Sequence, residues 1–270
     1  MPEIDRRAAR RRFERAAPTY TEAARLEAEV AARMLERLDY MKLVPRRILD
    51  AASGPPGRAL GKRYPRAQVI ALDFSPGMLL AGKRSFFGVN PFLVCGDVER
   101  LPFAPEAIDF TWCNMALHWL SDPLPALREF ARVLSPEGLL MFSTLGPDTL
   151  KELRAAAGAS RVHAFTDMHD LGDMLVAAGF SAPVMDMEMI EIEYTKGKDL
   201  LADLRSSGQT SARADRPRGL ASRRFGAHLR AGLASKATFE VVYGHAWKSK
   251  GTDRSGEPVP KTVRVFKRMP

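Results

Sequence analysis

The sequence predicts an α/β fold in which helices cover both faces of a mostly parallel sheet. Three observations support this prediction. From residue 47 onward, short apolar runs alternate with stretches of helical periodicity. The runs are apolar throughout, which is typical of strands buried on both faces. Three of them end in an aspartate, and in open α/β sheets ligands bind beyond the carboxyl ends of the strands.

The length and charge of the chain narrow its class further. With 270 residues, of which 46% are hydrophobic and 27% charged, it is expected to form one large globular domain with an appendage. This composition excludes collagen, disorder along the whole chain and a disulfide scaffold. Lys and Arg number 41 against 32 Asp and Glu, a net charge of +9. The excess indicates an acidic partner and says nothing about the fold.

The two cysteines and the lack of targeting signals indicate a cytoplasmic protein. Cys95 and Cys113 lie in apolar runs, so we expect both to be reduced core residues. No window comes near the run of about 18 apolar residues that a membrane span needs. The basic N-terminus is not followed by the apolar segment of a signal peptide.

The first 45 residues are predicted to be helical. Thr19 and Glu22 fit a capping box, with the helix starting at Thr19. Several arginines precede it, around Phe13. The apolar stripe of the helix consists of Leu26, Val30, Met34 and Leu38.

The next hundred residues are predicted to contain five strands and their connecting helices. One helix starts at Asp122 and Pro123, with the aspartate as N-cap. The expected strands are 47–50, 68–73, 92–97, 108–114 and 139–144.

The last part of the chain is less regular. Helices are expected from Leu150 to Ala157 and from Thr166, as N-cap, to Ala178, and residues 205–236 are basic. A polar loop is expected from Lys250 to Pro260. The predicted strands are 185–194, in which Met185, Met187 and Met189 are expected in the core, 239–246 and 262–266.

The most informative pattern is a strand, a loop of small residues, a helix, and a second strand that ends in an acid. Asp50 opens the loop, which contains Gly54, and Asp73 follows 23 residues later. An acid at that position accepts hydrogen bonds from ribose hydroxyls. At the end of the third predicted strand, Asp97 is placed to face a purine edge. At the end of the fourth, Asn114 is placed to form the floor of the same ligand crevice.

The loop does not match the common phosphate-binding motifs. The Gly-Lys-Ser/Thr ending of nucleoside-triphosphate loops is missing, and so is the three-glycine dinucleotide spacing. Pro55 and Pro56 also remove backbone N–H donors that a pyrophosphate would use. A nucleoside ligand without phosphates fits better, and S-adenosylmethionine is such a ligand.

Several segments of the chain resemble a known family. Segments 48–54, 71–79 and 96–103 are similar to the seven-stranded S-adenosylmethionine-dependent methyltransferases. Within that group the chain looks most like the BioC-type malonyl-carrier-protein O-methyltransferases of biotin synthesis. The resemblance covers most of residues 10–248. The segments that carry the closer likeness are 12–20, 114–119, 142–150 and 243–247.

The resemblance implies a Rossmann-like, doubly wound sheet of seven strands with an N-terminal helical cap and a helical lid insertion. The implied division is a cap at 1–45, a methyltransferase domain at 46–248 with its lid at about 150–236, and a C-terminal loop and tail at 249–270. The residues implied to bind S-adenosylmethionine are Asp50, Ala51, Ala52, Ser53, Gly54, Asp73, Phe74, Ser75, Met78, Asp97, Val98, Asn114 and Met115.

The implied reaction is methylation of the free carboxylate of a malonyl thioester on an acidic acyl carrier protein. No general base is needed, because a carboxylate is already ionised at neutral pH. A cationic side chain should hold it, and the candidates are Arg15, Arg154 and Arg205. Tyr20 is expected to close over the cofactor. We expect a monomer without a metal site.

Alternatives to this function remain open. The family's first loop usually reads Asp-x-Gly-x-Gly-x-Gly, whereas this chain has Ala52 and Pro56 in place of two glycines and a shorter connection to Pro65. The acceptor could instead be another small carboxylic acid or a quinone precursor. The chain could also be a methyltransferase-like factor that assembles or modifies a respiratory complex. Nucleic acid is not expected as a partner, because Asn114 is not followed by the Pro-Pro-aromatic motif of amino-methylating enzymes.

Overall fold

One mixed sheet organises the chain, with strands in the order β3-β2-β1-β4-β5-β7-β6-β8. The computed structural model describes residues 3–82, 90–217, 219, 222–233, 235–249 and 264–265. The strands are Arg47–Ala51 (β1), Gln68–Asp73 (β2), Phe92–Cys95 (β3), Ile108–Cys113 (β4), Leu134–Leu145 (β5), Phe180–Glu193 (β6), Lys236–Lys248 (β7) and Arg264–Val265 (β8).

The strand directions confirm the predicted mostly parallel sheet. The pairs β1–β2, β1–β4, β2–β3 and β4–β5 are parallel. Only β7 runs the other way among the strands described, and it lies between β5 and β6. Seven strands form the body of the sheet, and the two-residue β8 adds to its edge beside Val184 and Met185.

Helices cover both faces of the sheet. They are Arg6–Ala23 (α1), Arg25–Arg37 (α2), Ala59–Arg63 (α3), Pro76–Ala81 (α4), Leu124–Val133 (α5), Lys151–Ala157 (α6), Met168–Ala177 (α7), Gly197–Ser206 (α8) and Arg223–Gly232 (α9).

The sheet has a separate apolar core on each face. Because side chains alternate along a strand, Ile48 and Leu49 of β1 point into different cores. On one face α5 and α7 pack through residues such as Phe130 and Leu175. On the other face α2, α3, α6 and α8 pack, with Val30 at the centre. The fold is therefore doubly wound, as predicted.

The N-terminal helices differ from the prediction in where they begin. The first helix starts after Asp5, whose carboxylate accepts a hydrogen bond from Ala8 N at 2.9 Å. It continues through Pro18, so Thr19 lies inside the helix and does not cap it. The Thr19 hydroxyl donates to the carbonyls of Ala16 and Ser206. The capping-box prediction was wrong because this hydroxyl finds acceptors one turn back and in α8.

Three predictions of buried or capping residues also need correction. Met187 and Met189 are 45% and 40% exposed, whereas Met185 on the same face of β6 packs with α7. Cys95 is exposed, since it ends the edge strand β3, whereas Cys113 is buried and reduced. The N-cap of α7 is Asp167 and not Thr166, because the Asp167 carboxylate accepts from the backbone of the first turn.

The C-terminal segment is described only in part. The predicted polar loop from Lys250 to Pro260 lies outside the described residues. Of the predicted strand 262–266, the structure describes residues 264 and 265. No helix of the described chain has the length and apolar character needed to cross a membrane.

Candidate active site

The loops that follow β1 and β2 are organised around the carboxylate of Asp73. Asp73, at the end of β2, accepts hydrogen bonds from Gly54 N at 3.0 Å and from Ser75 N at 2.8 Å. Gly54 has a φ of +59°, a conformation that favours glycine. Ala52 has a φ of +53°, so this alanine occupies a backbone conformation that the family's usual glycine adopts without strain. The loop thus keeps the glycine geometry despite the substitution.

A crevice opens beyond these strand ends, and we call it the strand-tip crevice. Nine of the thirteen residues predicted to bind the cofactor line it. The other four do not line it: Asp50 and Ala51 lie within β1, Ser53 lies in the loop, and the Ser75 hydroxyl caps α4. The nine lining residues are Ala52, Gly54, Asp73, Phe74, Met78, Asp97, Val98, Asn114 and Met115.

Helix α1 closes the strand-tip crevice from above. The Phe13 ring lies 4.7 Å from the Trp119 ring and 5.9 Å from the Phe74 ring, measured between centroids. The Tyr20 ring lies over Gly54, since a Cβ atom added to this glycine would be only 3.5 Å from the ring. Arg6 reaches across to the carboxylate of Asp97. Tyr20 was predicted to cover this site.

Most residues that α1 contributes were missed by the sequence reading. Their signal was present, because they recur three or four positions apart, as one face of a helix does. The predicted helix start at Thr19 hid that stripe. The lining residues not predicted are Arg6, Ala9, Phe13, Gly96, Ala116, Trp119, Leu120 and Gln209.

The free volume of the strand-tip crevice is small. It measures about 80 Å³, whereas pockets for small molecules usually measure about 300–1,000 Å³. The wall groups nevertheless suit a nucleoside: a carboxylate at the β2 tip, a loop of small residues, and apolar surfaces from Phe74 and Met78. The residues therefore fit S-adenosylmethionine, and α1 has to shift for it to enter.

Burial raises the pKa of the acids around the crevice. The pKa of Asp73 is raised to about 6 by burial, against the lowering effect of its hydrogen bonds from Ser75 and Gly54. The pKa of Asp50 is raised to about 7 by burial and by the nearby Asp73 carboxylate. Burial also raises the pKa of Tyr20 well above its ordinary value. Loss of water thus dominates the electrostatics of this region.

A second, larger cavity lies beside the crevice, and we call it the apolar cavity. It measures about 630 Å³ and is lined by parts of α2, β6, α8 and α9 and by the chain around residues 161–165. Most of its wall is apolar, including Phe165, Ile190, Ile192, Leu204 and Leu229. Such a space suits an elongated, mostly apolar ligand.

The strand-tip crevice and the apolar cavity share one wall, made of Met115, Trp119 and Gln209. The Trp119 indole N–H is buried and has no hydrogen-bond partner in the described part of the chain. The same is true of Nε2 of the neighbouring His118. Leaving a buried polar group unpaired costs about 1–3 kcal/mol, so a ligand that supplied a partner at this wall would bind more favourably.

Glu27 stands at the same wall from the side of α2. Its carboxylate accepts a hydrogen bond from Gln209 Nε2 at 2.6 Å, and its backbone carbonyl accepts one from Asn114 Nδ2 at 3.0 Å. Burial raises the pKa of Glu27 to about 7. Sequence reasoning did not single out Glu27, whose position in the helical stripe is otherwise typical of a core residue.

The three arginine candidates for carboxylate binding occupy different environments. Arg205 lines the apolar cavity. Arg154 instead donates to the backbone carbonyls of Pro147 and Thr149, and Arg15 is exposed on α1 and lines neither cavity. The apolar cavity is also lined by two arginines that were not predicted, Arg25 and Arg161.

The histidines near the apolar cavity are neutral. Burial lowers the pKa of His118 to about 3, and burial together with Arg12 lowers that of His163 to about 4. His163 Nε2 accepts a hydrogen bond from Ala212 N at 2.8 Å. Within the described residues, no group of three His, Cys, Asp or Glu side chains is placed to hold a metal ion.

Known proteins agree with this architecture. A family model described as a methyltransferase domain matches residues 49–142. The YcgJ protein of Bacillus subtilis, 20% identical, has the same fold with a TM-score of 0.59, and the match covers 82% of this chain and all of that one. Phosphoethanolamine N-methyltransferase 2 of Haemonchus contortus, whose structure was solved with S-adenosyl-L-methionine, is 20% identical with a TM-score of 0.50 over 81% of this chain and 52% of its own.

One relative matches along nearly the whole length. The malonyl-(acyl-carrier protein) O-methyltransferase of Gallionella capsiferriformans is 46% identical over 280 residues, and the match covers 96% of this chain and 97% of the relative. The methyltransferase domain identifies S-adenosylmethionine as the cofactor. The chain belongs to the malonyl-(acyl-carrier protein) O-methyltransferase family, the BioC-type group of S-adenosylmethionine-dependent methyltransferases.

Proposed function

We propose that this chain methylates the free carboxylate of a malonyl group carried as a thioester by an acyl carrier protein, a step of biotin synthesis. One observation carries the proposal. The strand-tip crevice suits the nucleoside of the cofactor, the apolar cavity suits a long acyl arm, and the two meet at Met115, Trp119 and Gln209. A donor in the crevice and an acceptor in the cavity would meet at that wall.

The chain's task in this reaction is to position two reactants. When bound, S-adenosylmethionine supplies an electrophilic methyl group on a positively charged sulfur. We propose that Asp73, which lines the crevice, holds the ribose and that Phe74 and Met78 contact the adenine face. The malonyl carboxylate is already an anion, so no side chain has to remove a proton. Holding the reactants together and excluding water would supply the acceleration.

We propose two groups as partners of the acceptor carboxylate. Arg205 brings a cation to the apolar cavity, and an arginine can bind a carboxylate through two parallel hydrogen bonds. The buried Trp119 N–H at the shared wall would add a third donor. Glu27 is compatible with an anion nearby when it is protonated, which its raised pKa favours. We propose Arg205, among the three candidates, as the carboxylate-binding residue.

The expected acidity of the carrier protein matches the basic surface. Exposed arginines project from α1 and from α9, which lie over the crevice and beside the apolar cavity. Opposite charges speed encounter, and the effect weakens with salt. A monomer in the cytoplasm is the state we propose, with the cap at 1–45, the lid at about 150–236 and the tail at 249–270. The exposed arginines are Arg7, Arg10, Arg11, Arg15, Arg223 and Arg224.

A methyl-transfer assay tests the proposal. The chain is incubated with methyl-labelled S-adenosylmethionine and malonyl-carrier protein, and the product is identified by mass spectrometry. We expect a methyl ester on the malonyl group, and none on acetyl-carrier protein, which has no free carboxylate. Rising salt should lower the rate with carrier protein but not with a free malonyl thioester. Absence of label from malonyl-carrier protein at millimolar cofactor would refute the activity.

A further inference from the structure

A third cavity, which we call the arginine cavity, opens on the far side of the apolar cavity. It measures about 500 Å³. Four arginines and one acid line it, which leaves an excess of positive charge. Its lining includes Asp5, Arg11, Arg12, Arg161, Ser211 and Arg216.

Two of the four arginines are held by the protein itself. Arg216 donates to Asp5 Oδ2 at 3.1 Å and to Arg213 O at 2.6 Å. Arg12 donates to the carbonyls of Thr210 and Ser211. Carbonyls carry no charge, so the positive charge of Arg12 is not neutralised. The pKa of Arg12 is lowered by burial and by the neighbouring Arg216, which shows how close the cations are.

The other two arginines are not held by a hydrogen-bonded carboxylate in the described part of the chain, although Arg11 lies near enough to Asp5 to interact with its charge. Arg11 and Arg161 make no ion pair there, and the Arg161 guanidinium stacks on the Phe225 ring, 4.2 Å from its centroid. A stacked guanidinium is fixed in orientation while its N–H groups stay available. The arginine cavity therefore offers preorganised donors to an anion such as a phosphate, whose oxygens a guanidinium fork can bind in pairs.

The arginine cavity adjoins the apolar cavity. Arg161 and Ser211 line both of them, and the apolar cavity in turn shares Met115, Trp119 and Gln209 with the strand-tip crevice. The three cavities thus adjoin in a row, with the arginine cavity at one end and the strand-tip crevice at the other. A ligand that fills the row needs a phosphate at one end and the reacting carboxylate at the other.

We propose that the arginine cavity binds the phosphodiester of the prosthetic arm on which the carrier protein holds its malonyl group. This inference rests on the proposed function and adds a recognition site to it. The arm has a phosphodiester at its protein end and a thioester at its other end, with a mostly uncharged chain between them. Arg11 and Arg161 bind the phosphate, and Arg12 and Arg216 contribute their charge from fixed positions.

Binding of the arm alone tests this site without any methyl transfer. Calorimetry compares 4′-phosphopantetheine with pantetheine, which differ by the phosphate. We expect the wild-type chain to bind the phosphorylated arm at least about 10-fold more tightly at low salt. The double variant Arg11→Gln/Arg161→Gln should bind both arms equally. The charge-preserving Arg11→Lys/Arg161→Lys should keep most of the preference.

Controls separate the site from general charge. Arg7→Gln/Arg10→Gln removes two exposed charges from the same helix and should leave the preference for the phosphorylated arm unchanged. Equal affinity of the wild-type chain for the two arms overturns the inference, as does a full preference in the Arg11/Arg161 glutamine variant. Inorganic phosphate should compete weakly with the phosphorylated arm only. Failure of the methyl-transfer assay would count against the proposed function and not against this site.

Discussion

The strand-tip crevice and the apolar cavity share a wall, yet the fold builds them in different ways. The crevice is made by the ends of consecutive strands and closed by α1 to about 80 Å³. The apolar cavity, at about 630 Å³, is made by segments far apart in the chain, from α2 to α9. Both are lined mainly by apolar surface, but the crevice is nearly filled by its own side chains, whereas the apolar cavity is roomy. The difference is what we expect of a cofactor site that widens on binding beside an acceptor site that is already open.

The difference also separates how each region should respond to substitution. Residues of the strand-tip crevice should change cofactor affinity, and residues of the apolar cavity should change acceptor kinetics. The shared wall should affect transfer while leaving cofactor affinity intact.

Removing the charge of Asp73 should have the largest effect, confined to the crevice. Asp73→Asn loses the carboxylate that is placed for the ribose hydroxyls, so the cofactor Kd should rise about 100-fold, or about 3 kcal/mol. Calorimetry with S-adenosylhomocysteine measures it, and circular dichroism checks the fold. Asp170→Asn, an exposed change on α7, is the matched control. An unchanged Kd would remove the cofactor from this crevice.

Glu27 should make stability depend on pH. Its pKa is about 7 in the folded chain against an ordinary 4.5, so between these values the folded state holds a proton that the unfolded state has lost. Stability therefore falls as pH rises through this window. Relative to the wild type, Glu27→Gln should gain about 2–3 kcal/mol in unfolding free energy between pH 5 and pH 8.

Denaturant titration at both pH values measures the Glu27 effect. Glu36→Gln, an exposed change on the same helix, should show no such gain. The same ionisation places a second negative charge near the acceptor carboxylate. The acceptor KM of the wild type should therefore rise above pH 7, and that of Glu27→Gln should rise less. Parallel pH profiles in the two proteins would contradict this role.

Arg205 should act on the acceptor alone. Arg205→Gln removes the proposed partner of the malonyl carboxylate, and the acceptor KM should rise about 30-fold, or about 2 kcal/mol. The cofactor Kd should stay within about 3-fold. Lys198→Gln removes another exposed cation of the same helix that does not line the apolar cavity, and it should behave like the wild type. A Kd change without a KM change would place Arg205 at the wrong cavity.

Substitution of Trp119 tests whether the shared wall contacts the acceptor. Trp119→Phe keeps an aromatic ring against Phe13 and removes the unpartnered N–H. We expect kcat/KM for the acceptor to fall about 10-fold, or about 1.4 kcal/mol, with cofactor affinity nearly unchanged. Trp247→Phe in β7 is the matched control. If kcat/KM is unchanged, the N–H does not contact the acceptor.

Substitution of Ala52 should have the smallest effect, on cofactor affinity. Ala52→Gly relieves the positive φ and widens the strand-tip crevice, so the cofactor Kd should fall about 3-fold, while stability changes by less than about 1 kcal/mol. Ala182→Gly relieves a φ of +47° in β6, away from the crevice, and should leave the Kd unchanged. A weaker Kd in Ala52→Gly would show that the methyl group supports the cofactor.

The contrast between the two regions also explains what the sequence could predict. Asp73, Gly54 and Asn114 were predictable because a parallel sheet brings its strand tips to one edge. Phe13 and Gln209 were not, since their positions depend on how α1 and the chain after α8 pack on that edge. Thr19 shows the limit of local rules, because its hydroxyl serves a tertiary contact to Ser206 instead of a helix start. Met187 and Met189 show another, since alternation identifies a face of β6 but not how far a helix covers it.

The most direct test of the account is a crystal structure of the chain with S-adenosylhomocysteine and a malonyl-pantetheine thioester. We expect the ribose on Asp73 in the strand-tip crevice, with α1 displaced or repacked to admit it. We expect the malonyl carboxylate at the wall of Met115, Trp119 and Gln209, with its arm in the apolar cavity. A nucleoside in the apolar cavity, or a malonyl carboxylate that does not reach that wall, would contradict this arrangement of donor and acceptor.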